Sequence, residues 1–256
     1  MAYRGQSLAG RVALVTGAAG GLGHAFCLAL GRAGASVVLA GRTAASLEAA
    51  VVALEQQGCT AMAAPLDVTR PESVADAFAR AQGAFGVVDI VVANAGIAVT
   101  RPALELSHDD WLRVLDVNLT GSWLVCREAA SRLVAAGQPG SIIAVSSILA
   151  QRVAAQVLPY AVSKAGLEHM VRALALEWAR HGIRVNALAP GYVETPLNHS
   201  FFQSEAGKAV QRRIPSRRIG KAEDLLGALL LLASDASAHM TGSTLVVDGG
   251  HLQSAL

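Results

Sequence analysis

The chain has 256 residues, a formal net charge of +2, 53% hydrophobic residues and 16% charged residues. This composition excludes an intrinsically disordered chain, and a nearly balanced charge without a basic stripe argues against a nucleic-acid partner. The longest stretches without Asp, Glu, Lys or Arg, 12–31 and 133–151, are interrupted by glycines, so no membrane-spanning helix is predicted. We expect one domain, residues 1–256, with a large buried core.

The cysteines Cys27, Cys59 and Cys126 are widely spaced, and no CxxC or Cys/His pair has metal-ligand spacing. Such a set is typical of free thiols in a reducing compartment, so the sequence predicts a cytoplasmic protein. Because the ligand spacing is missing, no metal is expected.

Short runs rich in Val, Ile, Leu and Ala alternate with longer helical segments. The runs are nearly continuous in apolar residues, which is typical of strands buried on both faces of a parallel sheet. Strands are predicted at Val12–Thr16, Ser36–Ala40, Thr60–Leu66, Val88–Ala93, Ser141–Val145, Ile183–Leu188 and Thr244–Val247. Helices are predicted at about 21–33, 43–57, 71–83, 108–136, 158–181 and 221–233. The alternation predicts a single-domain α/β fold, a Rossmann-type doubly wound parallel sheet of about seven strands with helices on both faces.

Local signals mark several helix ends. Ser107 or Asp109 is expected to cap the start of the fourth helix, and Gly58, Gly137 and Gly182 are expected to end three others. Only the segment 190–215 breaks the alternation, because it has no strand signal. Long insertions after a strand often cover a site, so residues 192–215 are predicted to form a substrate lid.

A glycine-rich loop joins the first strand to the first helix, reading Thr16-Gly17-Ala18-Ala19-Gly20-Gly21-Leu22-Gly23. Glycines allow the sharp turn, the close approach of a diphosphate to the backbone and the close packing of the helix, whose free amides attract the anion. The alternative is a plain tight turn. The position between strand and helix favours a dinucleotide site.

The second strand ends in Gly41-Arg42-Thr43, where an acidic residue would accept hydrogen bonds from the ribose of NAD. A guanidinium and a hydroxyl suit the 2′-phosphate of NADP instead. We therefore predict NADP as the cofactor, with NAD as the runner-up. The alternative is that Arg42 is an ordinary exposed residue. Asp67, after the third strand, is predicted to accept from the adenine amine.

A tyrosine and a lysine, Tyr160 and Lys164, lie four residues apart at the start of a long predicted helix and so share one face. A nearby ammonium favours the phenolate and is expected to lower the pKa of the tyrosine, as a general acid/base requires. Taken alone, such a pair is most often a surface pair. Ser147, thirteen residues upstream, and the glycine loop make a catalytic pair the better interpretation.

Together these motifs resemble the short-chain dehydrogenase/reductase family over nearly the whole chain, from Leu8 to Gly250. The resemblance is carried by several motifs in the family order. They are the 16–23 loop, Asn94-Ala95-Gly96, Asp116-Val117-Asn118, Val145-Ser146-Ser147, the Tyr160/Lys164 pair, Pro190-Gly191-Tyr192-Val193-Glu194-Thr195 and Val247-Asp248-Gly249-Gly250.

The resemblance implies that the chain interconverts a secondary alcohol and a ketone. It implies that Tyr160 exchanges a proton with the substrate oxygen and that Ser147, rather than Ser146, hydrogen-bonds that oxygen. It also implies that Lys164 holds the nicotinamide ribose and that Asn118 holds a water linking Lys164 to solvent.

The cofactor contacts are expected along the same motifs. Thr195 is implied to bind the diphosphate or the carboxamide, and Asn94 and Gly96 to line the ribose. The full predicted set is Gly17, Ala19, Gly20, Gly21, Leu22, Gly41, Arg42, Thr43, Asp67, Val68, Asn94, Ala95, Gly96, Tyr160, Lys164, Pro190, Gly191, Val193 and Thr195.

Two positions depart from the common family pattern. Ala93 stands where an additional Asn is frequent, and Gly20 stands where many NADP enzymes carry Arg. The first departure predicts a modest local change, and the second weakens the case for NADP without reversing it.

A finer resemblance to gluconate 5-dehydrogenases and related sugar-acid or polyol dehydrogenases points to a sugar-acid substrate, with Arg152 or Arg101 as candidates for binding a carboxylate. Apolar ketones, steroids and 3-oxoacyl thioesters are the alternative substrates. A non-catalytic dinucleotide-binding sensor or scaffold is the alternative function. The helices at 108–136 and 158–181 are apolar enough to pair copies of the chain, and the family resemblance implies a homotetramer or homodimer.

Overall fold

The computed structural model describes residues 7–195 and 198–254. Its centre is one parallel sheet in the order β3-β2-β1-β4-β5-β6-β7. The strands are β1 Val12–Thr16, β2 Ser36–Gly41, β3 Ala61–Pro65, β4 Ile90–Ala93, β5 Gly140–Val145, β6 Ile183–Pro190 and β7 Thr244–Val247. All seven predicted strands are present. The sixth is two residues longer than predicted, because its pairing with β7 continues to Pro190 opposite Val247.

Helices cover both faces of the sheet, which confirms the predicted doubly wound α/β fold. The helices are α1 Gly21–Arg32, α2 Ala44–Glu55, α3 Pro71–Phe85, α4 His108–Leu115, α5 Gly121–Ala136, α6 Leu158–Trp178, α7 His199–Gln203, α8 Glu205–Arg213 and α9 Glu223–Ala233. Two apolar cores result. One lies between the sheet and α3, α5 and α6, and the other lies between the sheet and α1, α2 and α9.

The predicted helix over 108–136 is divided by a π-helical turn at Asp116–Thr120. Its start is capped by Ser107, whose hydroxyl accepts a hydrogen bond from the amide of Asp110 at 3.1 Å, so Asp109 is not the cap. Gly58, Gly137 and Gly182 all have positive φ and end the elements before them, as expected.

The segment predicted as a lid contains two short helices that the sequence did not indicate, α7 and α8. Phe202 on α7 is buried, whereas Phe201 is 44% exposed. Residues 196 and 197 lie outside the described residues. No helix within the described ranges is both long and apolar enough to cross a membrane.

The strand order reverses between β1 and β4, since the chain winds outward from β1 to β3 and then returns to place β4 on the other side of β1. In doubly wound sheets this reversal opens a crevice at the carboxyl ends of the strands, where ligands bind. The loops after β1 and β4 carry the 16–23 and 94–96 motifs, so the fold positions both motifs at this crevice.

Candidate active site

The glycine loop turns directly into α1. Gly17 has φ of +64°, and a Cβ there would approach the Cα of Ala95 to 3.1 Å. At Gly23 a Cβ would collide with the carbonyl oxygen of Gly17. Glycine is therefore required at both positions, by the turn and by the packing of α1 against the loop.

The start of α1 has no side-chain cap, and Ala19, Gly20 and Gly21 are exposed. Exposed amides at a helix start carry partial positive charge and bind phosphate groups well. Thr195 lies above this helix start, because a Cβ on Gly21 would be 3.7 Å from its Cγ2 atom.

The loop after β4 is bonded to the glycine loop. The side-chain amide of Asn94 donates to the carbonyl oxygen of Thr16 at 2.9 Å. The hydroxyl of Thr16 accepts from the backbone amides of Asn94 and Ala95, both at 3.0 Å. These bonds hold the two motifs of the crevice in one arrangement. They form although Ala93 stands where an additional Asn is frequent in the family.

Arg42 is exposed at the carboxyl end of β2, followed by Thr43 and the start of α2. The carboxylate of Asp67 accepts from the amide and the hydroxyl of Thr69, and these bonds, with a contribution from Arg42, lower the pKa of Asp67. Val68 is buried, and its side chain packs against Gly121. The carboxyl edge of β2 and β3 therefore presents a guanidinium and an ionised carboxylate to solvent.

Tyr160, Lys164 and Ser147 come together at the centre of the crevice. The ammonium of Lys164 donates to the carbonyl oxygen of Val145 at 2.7 Å and lies 5.6 Å from the ring centroid of Tyr160. Ser147 is 8% exposed, and its hydroxyl accepts from the amide of Leu149 at 3.1 Å.

Burial dominates the electrostatics of these groups. It lowers the pKa of Lys164 to about 8 and raises the pKa of Tyr160, while the neighbouring Ser147 hydroxyl partly offsets the shift of Tyr160. The sequence predicted a lowered pKa for Tyr160, and this prediction is wrong for the protein alone. The reason is that desolvation of the phenol outweighs an ammonium that bonds to Val145.

Asn118 is fully buried in the π-helical turn. Its side-chain oxygen accepts from the amide of Ile97 at 2.8 Å, and its side-chain nitrogen donates to the carbonyl of Ile97 at 2.9 Å and to the hydroxyl of Ser163 at 3.0 Å. The side chain thus fastens the loop after β4 to the helix that carries Tyr160 and Lys164.

Ser146 and Ser147 have different partners. The hydroxyl of Ser146 donates to Glu168 at 2.9 Å, and the side chain of Gln151 donates to the other oxygen of Glu168 at 3.3 Å. Glu168 is 5% exposed. It therefore ties the 146–151 segment to α6. This role of Glu168 was not predicted from the sequence, although an acid four residues after Lys164 in an apolar stretch of helix was a usable signal.

A cavity of about 720 Å³ opens over Tyr160 and Lys164. Ten of the predicted site residues line it, namely Leu22, Asn94, Gly96, Ser147, Tyr160, Lys164, Pro190, Gly191, Val193 and Thr195. Eleven others do not, namely Gly17, Ala19, Gly20, Gly21, Gly41, Arg42, Thr43, Asp67, Val68, Ala95 and Asn118. Asn118 is enclosed below the cavity, and the others lie at the carboxyl ends of β1–β4 and in the loops that follow them.

The wall of this cavity beyond Ser147 and Tyr160 is largely apolar. Its apolar and aromatic residues are Ile97, Ala98, Ile148, Leu149, Val157, Tyr192, Phe201 and Phe202, and the polar residues Thr100, Ser146 and Asn198 also line the cavity. Neither arginine suggested for a carboxylate lines it. The Nε atom of Arg101 lies 3.8 Å from Asp110, and Arg152 donates to the carbonyl of His251 and the hydroxyl of Ser254. The aromatic wall residues Tyr192 and Phe202 were not predicted individually as site residues.

Comparisons with known proteins agree with this arrangement. A family model described as enoyl-(acyl carrier protein) reductase matches residues 17–251. Over 251 residues the chain is 42% identical to 3beta-hydroxysteroid dehydrogenase 1 of Eggerthella lenta, covering 95% of this chain and 94% of that protein. Over 245 residues it is 36% identical to gluconate 5-dehydrogenase of Gluconobacter oxydans, covering 95% of each.

The fold also matches solved structures. A gluconate 5-dehydrogenase from Burkholderia cenocepacia, solved in complex with NADP and tartrate, superimposes with a TM-score of 0.93 at 34% identity, covering 98% of each chain. These matches confirm the resemblance to the family, and to gluconate 5-dehydrogenases, that was inferred from the sequence. The glycine loop, the serine, the tyrosine–lysine pair and these matches identify the chain as a member of the short-chain dehydrogenase/reductase family of oxidoreductases.

Proposed function

We propose that the protein interconverts a secondary alcohol and a ketone, with Tyr160 as the general acid/base and NADP(H) as the cofactor. The observation that carries this proposal is the meeting of Tyr160, Lys164 and Ser147 beside a cavity of about 720 Å³. A buried phenol next to a hydroxyl donor and an ammonium is suited to exchange a proton with a substrate oxygen.

The chain's own groups fit a phosphorylated dinucleotide. The uncapped start of α1 and the Thr195 above it suit the diphosphate, and Arg42 suits a 2′-phosphate. When bound, the nicotinamide supplies or accepts the hydride. NADP in the Burkholderia cenocepacia structure supports NADP over NAD.

The catalytic side chains divide the remaining work. Ser147 orients the substrate oxygen, and Tyr160 donates its proton during reduction or accepts one during oxidation. Lys164 is the neighbouring cation that favours the phenolate, and its pKa of about 8 allows it to pass a proton near neutral pH. Asn118 positions the Lys164 helix against Ile97, so we propose that its part in a proton relay is structural.

For the substrate, the apolar wall favours an alcohol or ketone with an apolar body. A polyol would leave several hydroxyl groups facing Ile97, Leu149 and Phe202, and unpaired polar groups are costly in such a setting. The similarity to a steroid dehydrogenase agrees with this choice. A sugar acid or polyol remains the second candidate, favoured by the similarity to gluconate 5-dehydrogenases.

A panel of ketones read by NADPH absorbance tests the function and the substrate class together. We expect kcat/KM for alkyl-substituted cyclohexanones to rise about four-fold per added methylene, since each buried methylene contributes about 0.8 kcal/mol. We expect these values to exceed that for 5-keto-gluconate. Turnover confined to the sugar acid would favour the second candidate, and no turnover of any compound would favour a sensor or scaffold.

We propose that copies of the chain associate through α5 and α6 into a homodimer or homotetramer. Apolar side chains stand exposed on these adjacent helices, and Leu176 is 84% exposed. The others are Trp123, Val134, Leu158 and Val162. Large exposed apolar residues grouped on one face are typical of interaction surfaces.

Light scattering on a sizing column is expected to give a mass of two or four 26.3 kDa chains. Leu176→Glu is expected to reduce this mass, because it places a charge in the proposed contact. Val52→Glu is the matched control, since Val52 is an exposed valine on α2 at the other face of the sheet. A monomer for the unaltered protein contradicts the proposal.

The reducing cytoplasm expected from the sequence stays a proposal. It is supported by the cysteines, all three of which are buried and unpaired.

A further inference from the structure

A second cavity, of about 740 Å³, adjoins the catalytic one. The two share three wall residues, Ile148, Leu149 and Tyr192. The ring of Tyr192 separates them, because its centroid lies 6.2 Å from that of Phe202 on the catalytic side and 5.5 Å from that of His251 on the other side. The two cavities therefore adjoin across this ring and share its side chain as a common wall.

The chemistry of the second cavity differs from that of the first. Its wall carries Arg152, Arg213 and His251 together with Val153 and Val210. Within residues 7–195 and 198–254, neither guanidinium lies within ion-pair distance of a carboxylate. Two cations without an acidic partner beside an apolar wall favour an anionic ligand group.

Arg152 is held in place by the chain. One of its terminal nitrogens donates to the carbonyl of His251 at 3.1 Å and to the hydroxyl of Ser254 at 3.0 Å, which are neutral acceptors. Asp248, an acid that acts on His251, has both oxygens engaged by the backbone amides of Gly250 and Leu252 at 2.7 Å. Arg152 thus keeps its positive charge available on the cavity wall.

His251 adds an unpaired group. Its Nδ1 atom is buried and has no hydrogen-bond partner in the part of the chain that the structure describes. Burial, then Arg152, and more weakly Arg213 lower its pKa, while Asp248 acts in the opposite direction. An anion bound here would offset the repulsion between the guanidinium groups of Arg152 and Arg213 and would favour the protonated form of His251.

We propose that the second cavity binds a carboxylate of the substrate through Arg152, Arg213 and His251, while the reacting carbon lies beside Tyr160 on the other side of Tyr192. This inference rests on the proposed function and narrows its substrate to an apolar secondary alcohol or ketone that carries a carboxylate at its far end. Arg152 would then bind a substrate carboxylate, as the sequence suggested, but in the second cavity rather than in the one beside Tyr160.

The test uses (ω−1)-oxo carboxylates of six to twelve carbons, each paired with its neutral methyl ester, with NADPH. We expect the unaltered protein to show a higher kcat/KM for the acid than for its ester once the carbon chain is long enough to reach from Tyr160 past the ring of Tyr192. Arg213→Met is expected to lower the acid-to-ester ratio of kcat/KM about 10-fold, through loss of a charge-assisted contact. Arg212→Met, the adjacent exposed arginine that does not line the cavity, is expected to leave this ratio unchanged.

A binding measurement that needs neither cofactor nor turnover accompanies the kinetics. The pKa of His251, followed by NMR and assigned with His251→Gln, is expected to rise when octanoate is added, because a carboxylate stabilises the imidazolium. The neutral 1-octanol is expected to leave it unchanged.

The outcomes separate the two proposals. An equal preference for acid and ester, an unchanged ratio in Arg213→Met or an unmoved His251 pKa overturns the carboxylate site. A rise in the His251 pKa without any turnover would retain the carboxylate site and contradict the proposed function.

Discussion

Replacing Tyr160 with phenylalanine is expected to lower kcat about 10³-fold in both directions of the reaction. The substitution removes the hydroxyl that we propose as proton donor and acceptor, and a positioned acid/base contributes about 10²–10⁴-fold to rate. The ring stays, so packing beside Lys164 and Ser147 is preserved. Steady-state rates with NADPH and an active ketone measure the effect, and NADPH fluorescence is expected to show cofactor binding close to that of the unaltered protein.

The matched control is Tyr192→Phe, which removes the other cavity phenol and is expected to change kcat far less. The pH profile gives a second measure. Burial raises the pKa of Tyr160, so the phenol stays protonated at neutral pH. Ketone reduction is then expected to keep its rate there, and alcohol oxidation to accelerate as the pH rises. Turnover that survives in Tyr160→Phe would mean that another group transfers the proton.

Replacing Arg42 with aspartate is expected to lower kcat/KM for NADPH about 100-fold relative to that for NADH. The change removes the guanidinium proposed to bind the 2′-phosphate, and it adds a carboxylate that repels a phosphate and accepts from ribose hydroxyls. Arg42 is exposed at the end of β2, so its loss should leave the fold intact.

Arg70→Asp is the control for this experiment. Arg70 is also exposed, also lowers the pKa of Asp67, and pairs with Glu72 at 2.7 Å. The same change of charge at this neighbouring position is expected to leave the cofactor preference unaltered. A strong NADH preference in the unaltered protein would contradict the role of Arg42. It would also show that the absence of an acidic residue after β2 does not decide the choice between NADP and NAD.

The sequence indicated the sheet and the catalytic motifs because these depend on local patterns. Continuous apolar runs define buried strands, and the first and last strands, Val12–Thr16 and Thr244–Val247, lie where they were predicted. The required glycines follow from local backbone geometry and close packing at Gly17 and Gly23. The family resemblance implied Ser147 rather than Ser146 as the substrate contact, which stays a prediction, and the hydroxyl of Ser146 is engaged by Glu168.

Other features had no local signal. The π-helical turn that buries Asn118 is stabilised by bonds to Ile97 and Ser163, which are distant in the chain. The short helices α7 and α8 lie in a segment read as irregular, because short helices depend on packing more than on intrinsic propensity. The pKa of Tyr160 depends on burial, which only the packed structure defines.

By itself, the sequence therefore determined the fold class, because buried strands and helices leave a periodic pattern, and the family, because its motifs lie in the family order; the site residues stay predictions. The tertiary structure decided which side chains line the cavity beside Tyr160. It gave the catalytic cavity an apolar wall and brought Arg152, on the segment after β5, next to Arg213 and His251. These contacts join residues up to about 100 positions apart, and such distances leave no periodic trace in a sequence.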